Sequence, residues 1–190
     1  MGDSTPSSNA RSLRAQLAGL DRVEQHAVAY QWAVVHGKLI DLLGDYAKQR
    51  GLLIFQSGNE CENWIDPVLN IVYKMNMLVH VGEDIAKLFD RIEWFNQLFP
   101  AAPLQFIGFQ AMSSSNVYPI FVQQLVSSAR FATKEEIVEY MESLGFSPTN
   151  KDGEFENDAF IVSDLKPKNV MCSSSTGNII VIDAEIDKKQ

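Results

Sequence analysis

The most informative segment of the sequence is Ser163-Asp164-Leu165-Lys166-Pro167-Lys168-Asn169, which is followed further along the chain by Ile182-Asp183-Ala184-Glu185. A carboxylate at Asp164 precedes the amide of Asn169, and a second carboxylate, Asp183, ends a predicted strand. Carboxylate and amide oxygens hold divalent cations, and a nearby carboxylate can orient a hydroxyl group. The pattern therefore indicates a site that holds metal ions against the phosphates of a nucleotide, beside an acceptor hydroxyl.

The first of these segments resembles the catalytic loop of protein kinases, D-L-K-P-x-N, and Asp183-Ala184-Glu185 is similar to the metal-binding motif of aminoglycoside and choline kinases. The resemblance implies that Asp164 orients the acceptor hydroxyl and that Asn169 and Asp183 hold metal. A plainer interpretation stays open, in which Asp164 begins a turn, Asn169 is an ordinary loop residue and Asp183 caps a strand. The rarity of the combined pattern favours the kinase-like interpretation.

The preceding part of the chain contains, in order, the features that a kinase-like fold requires before its catalytic loop. Gly58 lies in a predicted hairpin, where it would face the phosphates. Lys74 lies on the next predicted strand, and alternation places Asn70, Val72 and Lys74 on one face. Lys74 is therefore the predicted phosphate-binding and catalytic lysine, and a solvated charge on an edge strand is the alternative.

The carboxylate that pairs with Lys74 is expected on an amphipathic helix predicted over residues 83–99. Glu93 is the preferred partner, because it lies on the flank of the apolar stripe of that helix. Asp84 remains a rival, since a carboxylate at the start of a helix also interacts favourably with the helix dipole. Asp90 points nearly opposite the stripe.

Shorter motifs extend the similarity along the chain. They are Gln31-Trp32-Ala33, Gly58-Asn59-Glu60-Cys61-Glu62-Asn63, Ile92-Glu93-Trp94-Phe95-Asn96-Gln97-Leu98-Phe99-Pro100, Glu139-Tyr140-Met141 and Leu144-Gly145-Phe146. With them, the sequence from about Tyr30 to Lys189 resembles the protein kinase domain found in polyvalent proteins of bacterial phages and conjugative elements. The resemblance implies ATP and Mg²⁺ as cofactors, and a hinge at Val122-Gln123-Gln124-Leu125 whose backbone pairs with adenine. Gln123, Gln124 and Leu125 thereby join Gly58 and Lys74 as expected nucleotide-binding residues.

Several departures from the kinase pattern bear on the reaction. Gly58 stands alone instead of in a G-x-G-x-x-G loop, and Val162-Ser163 replaces the usual His-Arg before the catalytic aspartate. The sequence after Asp183 holds no activation segment of the kind that binds peptide substrates, so the phosphate acceptor stays open between a protein, a small molecule and the chain itself. The role of Lys166 is also open. The alternative function is a nucleotide-binding module without catalysis, a pseudokinase, among the other domains of a mobile-element polyprotein.

Composition and charge exclude several other classes of protein. The chain has 190 residues, 46% of them hydrophobic, which is enough to bury a core. Its 16 Lys and Arg residues against 24 Asp and Glu residues give a net charge of -8, which argues against nucleic acid as a partner. Cys61 and Cys172 form no zinc or disulfide pattern, and no apolar stretch is long enough for a membrane span. A cytoplasmic protein is expected.

The periodicity of apolar residues predicts an α+β fold, a minimal protein-kinase-like arrangement of a small antiparallel sheet lobe and a short C-terminal lobe, with N-terminal helices. Residues 1–9 are expected to be a disordered lead-in and residues 10–51 a helical appendage interrupted near Gly37. Residues 52–126 are expected to form the sheet lobe with its helix. Residues 127–190 are expected to form the C-terminal lobe, with a helix over 134–144 capped by Thr133 and Glu136.

Overall fold

The computed structural model describes residues 8–57 and 61–189 of the chain. Its helices are α1 (Ser8–Leu17), α2 (Arg22–Val35), α3 (Asp45–Arg50), α4 (Ile85–Leu98) and α5 (Lys134–Ser143). Its strands are β1 (Leu53–Ser57), β2 (Cys61–Asp66), β3 (Ile71–Asn76), β4 (Gln105–Ser113), β5 (Asn116–Gln124), β6 (Ala129–Phe131), β7 (Ser147–Pro148), β8 (Phe155–Glu156), β9 (Phe160–Ser163), β10 (Val170–Ser173), β11 (Ile179–Val181) and β12 (Glu185–Lys188). Helices and antiparallel sheets together confirm the predicted α+β class.

The chain divides into two compact units. The first comprises the described residues of Met1–Glu93 together with Leu104–Leu125. The second comprises Trp94–Pro103 and the described residues of Val126–Gln190. Most of the expected lead-in, residues 1–7, lies outside the described residues.

A five-stranded antiparallel sheet in the order β1-β2-β3-β5-β4 forms the centre of the first unit. The predicted strand of Lys74 is confirmed as β3, which pairs with β2 across the turn that follows Asp66. The prediction that Asn70 shares a strand face with Val72 and Lys74 is wrong. Asn70 precedes β3 and has a left-handed conformation (φ 55°). Strand β2 ends at Asp66, whose side chain accepts a hydrogen bond from the Val68 nitrogen in the turn at 2.9 Å.

The helices α1 to α3 confirm that the chain before residue 51 is helical, with the interruption near Gly37. Asp21 caps α2 and forms a capping box with Glu24. On the buried face of α2, Trp32 packs against Phe106 and Phe109 of β4, with ring centroids 6.0 and 6.5 Å apart. Burial of each such aromatic side chain contributes about 1.5–3 kcal/mol, which fixes α2 on the sheet.

Helix α4 confirms the predicted amphipathic helix. Its buried side chains recur at helical spacing. They are Ile85, Leu88, Phe89 and Phe95, followed by Phe99 just beyond the last turn. Phe89 makes edge-to-face contacts with Phe106 and Phe121 of the sheet. The helix ends before Pro100, which cannot continue it.

Two small sheets and α5 build the second unit. One sheet has the order β11-β10-β6 and the other β12-β9-β8-β7. Helix α5 begins with the predicted capping box of Thr133 and Glu136, and buries Ile137 and Met141. Strands β6, β7, β8 and β12 are only two to four residues long and were not expected from the sequence.

The longest described helices, α2 and α4, have 14 residues each, and no described helix meets the length and hydropathy that a membrane crossing requires.

Candidate functional site

The predicted catalytic loop connects β9 to β10 through a turn of 3-10 helix over Pro167–Asn169. Asp164 lies directly after β9 in a left-handed conformation, with φ 58°. The Asn169 amide nitrogen donates to both the backbone carbonyl and the Oδ2 atom of Asp164, each at 2.8 Å. Asn169 is buried, whereas about a third of the Asp164 side chain is exposed. The structure thus brings together two of the predicted site residues, and it leaves the carboxylate accessible from solvent.

Two lysines surround the Asp164 carboxylate. Lys166 Nζ lies 2.8 Å from Oδ1, and Lys168 Nζ lies 3.8 Å from Oδ2. Burial favours the neutral acid, but the bond from Lys166, the lysine charges and the bond from Asn169 outweigh it, so the pKa of Asp164 falls below its ordinary value. The ion pair with Asp164 in turn raises the pKa of Lys166. Asp164 is therefore ionised near neutral pH, as a group that orients or accepts a proton must be.

The pairing of β10 with β11 also places the backbone of Asp183 beside the catalytic loop. Strands β10 and β11 pair antiparallel, and the backbone that follows β11 returns to the carbonyl of Asn169. That carbonyl accepts a bond from the Ile182 nitrogen at 2.9 Å, and the Asp183 nitrogen lies 3.4 Å from it. The Asp183 side chain is exposed. Strand β12 then pairs with β9, so that Glu185 lies opposite Ser163, directly before Asp164.

These residues fit a magnesium ion held mainly by a nucleotide. Asn169 uses its amide nitrogen as a donor to Asp164, which leaves its oxygen as the atom with metal-ligand chemistry. Asp183 adds a carboxylate. The described residues contain no cluster of three His, Cys, Asp or Glu side chains that would hold a metal by themselves. Oxygen ligands of this kind suit Mg²⁺, which keeps several waters and binds through one or two protein oxygens and substrate phosphates.

Lys74 lies in the first unit, on β3, opposite Asn63 of β2 and Phe121 of β5. Because β3 has a partner strand on each side, the alternative of a charge on an edge strand is wrong. Lys74 is half-buried. This position on an interior strand is compatible with the predicted contact to phosphates, and the role itself stays a prediction.

The structure distinguishes among the three carboxylates considered for Lys74. Asp84 caps α4, since its Oδ1 accepts a bond from the Lys87 nitrogen at 2.9 Å. Asp90 forms an ion pair with Arg14. Glu93 lies half-buried near the end of the part of α4 that belongs to the first unit. Asp84 and Asp90 have structural functions, so Glu93 remains the preferred partner, and its pairing with Lys74 stays a prediction.

The expected hinge lies at the end of β5. The Gln124 side chain and the Leu125 backbone nitrogen both donate to the carbonyl of Asn70, at 2.7 and 3.0 Å. Gln123 is buried and pairs with Val72 of β3. These bonds hold the end of β5 against the turn before β3. Gly58, the remaining nucleotide-binding prediction, lies outside the described residues.

A cavity of about 380 Å³ in the second unit borders the catalytic loop. Its lining includes Lys166 from the loop, Lys134 from α5, and the turn of residues 149–154 between β7 and β8. Sequence reasoning missed this turn as part of the site, although Asp152-Gly153 is a common turn signal. It also left open the role of Lys166, which forms an ion pair with Asp164 in the structure.

Comparison with known proteins identifies the family of the chain. A protein-family model described as "Serine/Threonine/Tyrosine Kinase found in polyvalent proteins" matches residues 24–190, which is most of the chain. No curated protein and no solved structure gives a significant match. The matched region contains all the residues of the candidate site, and the chain therefore belongs to the family of Ser/Thr/Tyr kinases found in polyvalent proteins, with the kinase-like function that this family implies.

Proposed function

We propose that this protein is an ATP- and Mg²⁺-dependent phosphotransferase that transfers a phosphoryl group to a hydroxyl acceptor, with Asp164 as the catalytic carboxylate. The observation that carries the proposal is the arrangement around Asp164. An ionised carboxylate lies 2.8 Å from a lysine ammonium and from the amide of Asn169, with the Asp183 backbone adjacent to Asn169. Phosphoryl transfer depends mainly on such positioning and on neutralisation of charge.

In this proposal Asp164 accepts a hydrogen bond from the acceptor hydroxyl and takes its proton as that oxygen bonds to the terminal phosphorus of ATP. The bond between this phosphorus and the bridging oxygen breaks, and ADP leaves with the electron pair of that bond. The bonds from Asn169 fix the carboxylate in one orientation. Lys166 keeps Asp164 ionised, and its positive charge stabilises the negative charge of the transferred phosphoryl group. Asn169 and Asp183 would hold Mg²⁺, which supplies neutralisation of the phosphate charge when bound.

The nucleotide contacts proposed for the first unit follow the resemblance to kinases. Lys74 would bind phosphates and Glu93 would position Lys74. Gly58 would face the phosphates, and Gln123, Gln124 and Leu125 would receive the adenine. Support comes from the half-buried position of Lys74 on an interior strand and from the anchored end of β5.

The proposals for the phosphate acceptor and for the cellular location rest on the cavity, the net charge and the family. The cavity that Lys166 borders has a volume within the range of small-molecule sites, so a small hydroxyl compound fits beside the catalytic loop as well as a protein side chain does. The net charge of -8 argues against nucleic acid. We place the domain in the bacterial cytoplasm, joined to other domains of a polyvalent protein.

The decisive test replaces Asp164 by Asn, which keeps the shape of the side chain and removes its charge. Transfer of radiolabelled phosphate from ATP to the protein itself, and release of inorganic phosphate, should fall by about 10²–10⁴-fold. ATP binding should persist. Asp158→Asn, an exposed aspartate in the β8–β9 turn, is the matched control and should leave the rate unchanged.

Transfer by Asp164→Asn at the wild-type rate would show that the assigned role is wrong. Binding of ATP by the wild-type protein without any Mg²⁺-dependent transfer would instead favour the non-catalytic nucleotide-binding module.

A further inference from the structure

The catalytic loop has a second support that comes from the turn between β7 and β8. Strands β8 and β9 pair Phe155 with Val162 and Glu156 with Ile161. Continuing this register by two residues places Gly153 opposite Asp164. The Leu165 nitrogen instead donates to the Gly153 carbonyl at 3.0 Å, so the pairing is shifted there by one residue. This backbone bond connects the turn between β7 and β8 to the catalytic loop.

The turn that presents Gly153 is closed by bonds of its own. The Thr149 nitrogen donates to the Glu154 carbonyl at 3.0 Å, and the Glu154 nitrogen donates to the Lys151 carbonyl at 3.1 Å. The Glu154 carboxylate also accepts hydrogen bonds from the hydroxyl of Thr149 and the ammonium of Lys151, each at 3.0 Å. Asp152 pairs with Lys134 of α5 at 2.8 Å. The Gly153 carbonyl is thus held in a fixed position.

A side chain at this position would be strained and would crowd the catalytic loop. Gly153 has φ +74°, and a Cβ atom there would lie 3.0 Å from the Leu165 carbonyl oxygen and 3.2 Å from its carbon. Both are backbone atoms of the catalytic loop, so they cannot rotate away as the end of a side chain would. A side chain at 153 would therefore move Leu165, and with it Asp164.

Asp164 is sensitive to such a shift because its own backbone is strained. A left-handed conformation in a residue other than glycine persists only where its surroundings enforce it. Asn169 holds the Asp164 carbonyl from one side, and Gly153 holds the next nitrogen from the other. The buried Leu165 side chain anchors the same segment.

We infer that Gly153 is a positioning residue for the catalytic loop, which fixes the backbone of Asp164 and Leu165 through its carbonyl and through its lack of a side chain. This inference rests on the proposed catalytic role of Asp164. The catalytic carboxylate is thereby aligned by a turn outside the kinase-like motif, between β7 and β8.

The test compares Gly153→Ala with Gly177→Ala. Gly177 has nearly the same backbone conformation, φ +73°, but a Cβ atom at that position would meet no atom of the described residues within 4 Å. Both substitutions impose the strain of a left-handed alanine, and only Gly153→Ala also displaces Leu165. Gly153→Ala should lower kcat for phosphate release from ATP by about 10–100-fold and leave the KM for ATP nearly unchanged. Gly177→Ala should preserve both.

A spectroscopic measurement separates this inference from the proposed function. In NMR spectra, the amide of Leu165 should shift in Gly153→Ala and not in Gly177→Ala, and in the wild-type protein it should be protected from hydrogen exchange. If the wild-type protein transfers no phosphate, the proposed function fails, and the Leu165 amide still decides whether Gly153 holds the loop. Equal kcat in the two variants, unchanged Leu165 shifts, or a Leu165 amide that exchanges as fast as exposed amides would overturn the inference. The wild-type exchange decides the matter should Gly153→Ala not fold.

Discussion

At the scale of single residues, the charge of Asp164 depends on its lysine neighbours. Burial alone would raise the pKa of this carboxyl group, and the bond and charge of Lys166 with the charge of Lys168 lower it instead. A carboxylate with a lowered pKa stays ionised over the pH range in which cytoplasmic enzymes work. The lysines therefore keep the base of the proposed reaction in its active form as the pH falls.

Lys166→Met should raise the pKa of Asp164, because it removes the closest positive charge and leaves burial in place. The acid limb of the profile of kcat/KM against pH should then move to higher pH. Lys168→Met is the matched control, and its effect should be smaller, since Lys168 lies 3.8 Å from the carboxylate against 2.8 Å for Lys166. An acid limb that stays in place in Lys166→Met would show that Asp164 does not control the rate.

The residues that sequence reasoning found are those whose relation is local. The spacing of Asp164 and Asn169, with Pro167 between them to start a tight turn, largely dictates that their side chains meet. The ion pair of Lys166 was not predictable, since a loop lysine can point in many directions. Gly153 was missed for a related reason. Its contact with Leu165 depends on strand pairing between segments that carry weak signals of their own.

At the scale of elements, α5 is set by its N-terminal cap. The Thr133 hydroxyl accepts a bond from the Glu136 nitrogen at 3.2 Å, and the Glu136 side chain accepts one in return from the Thr133 nitrogen at 2.8 Å. Arg130 of β6 bonds to the same carboxylate and, together with the backbone bond from Thr133, lowers the pKa of Glu136 to about 2. The cap therefore connects α5 to the sheet of the second unit.

Thr133→Ala should lower the free energy of unfolding by about 0.5–2 kcal/mol, because the Glu136 nitrogen loses its acceptor. Urea denaturation followed by circular dichroism measures the change. Thr133→Ser keeps the hydroxyl and should retain most of the stability. Equal losses in the two variants would indicate that the Thr133 methyl group, and not the cap, stabilises the helix.

Elements with strong local signals were predicted well, and those without them were not. The β2–β3 hairpin, α4 and α5 each combine a clear periodicity with a turn or cap residue. Strands β6, β7 and β8 have two or three residues each, too few for any periodicity to show. They exist because β10 offers a partner to β6 and β9 offers one to β8, which in turn pairs with β7. Asn70 was placed in β3 because the apolar run that contains it hides the turn.

At the scale of the whole molecule, stability should depend on pH through His26. This residue lies on α2 with only 3% of its surface exposed, and its Nδ1 accepts a bond from the Val117 nitrogen of β5 at 3.1 Å. Burial lowers its pKa below the ordinary 6.5. As the pH falls below 6.5, His26 becomes protonated in the unfolded chain before it does in the folded protein. The free energy of unfolding therefore declines until the pH passes the pKa of His26 in the folded protein.

The melting temperature should therefore fall as the pH is lowered through about 6.5 toward 5. His26→Asn supplies an acceptor for the Val117 nitrogen without a titratable ring, and should reduce this dependence. Scanning calorimetry of the two proteins across the same buffers tests the point. Identical slopes of melting temperature against pH would show that other groups cause the decline.

The periodicity of apolar residues predicted the α+β class of the whole molecule, and the motifs between about Tyr30 and Lys189 predicted its family. Helices before residue 51 were expected as an appendage. In the structure α2 packs directly on β4 and β5. This packing could not be predicted from the sequence, because an amphipathic helix shows which face it buries but not which element covers that face.

The central claim, that Asp183 takes part in a site for ATP and Mg²⁺, is tested most directly by thermal unfolding with and without both ligands. ATP at about 100 times its Kd should stabilise the wild-type protein by about 2.7 kcal/mol, and only when Mg²⁺ is present. Asp183→Ala should abolish the Mg²⁺-dependent increase, and the exposed control Asp158→Ala should retain it. No increase in the wild-type protein at saturating ATP, or an equal increase in Asp183→Ala, would contradict this account.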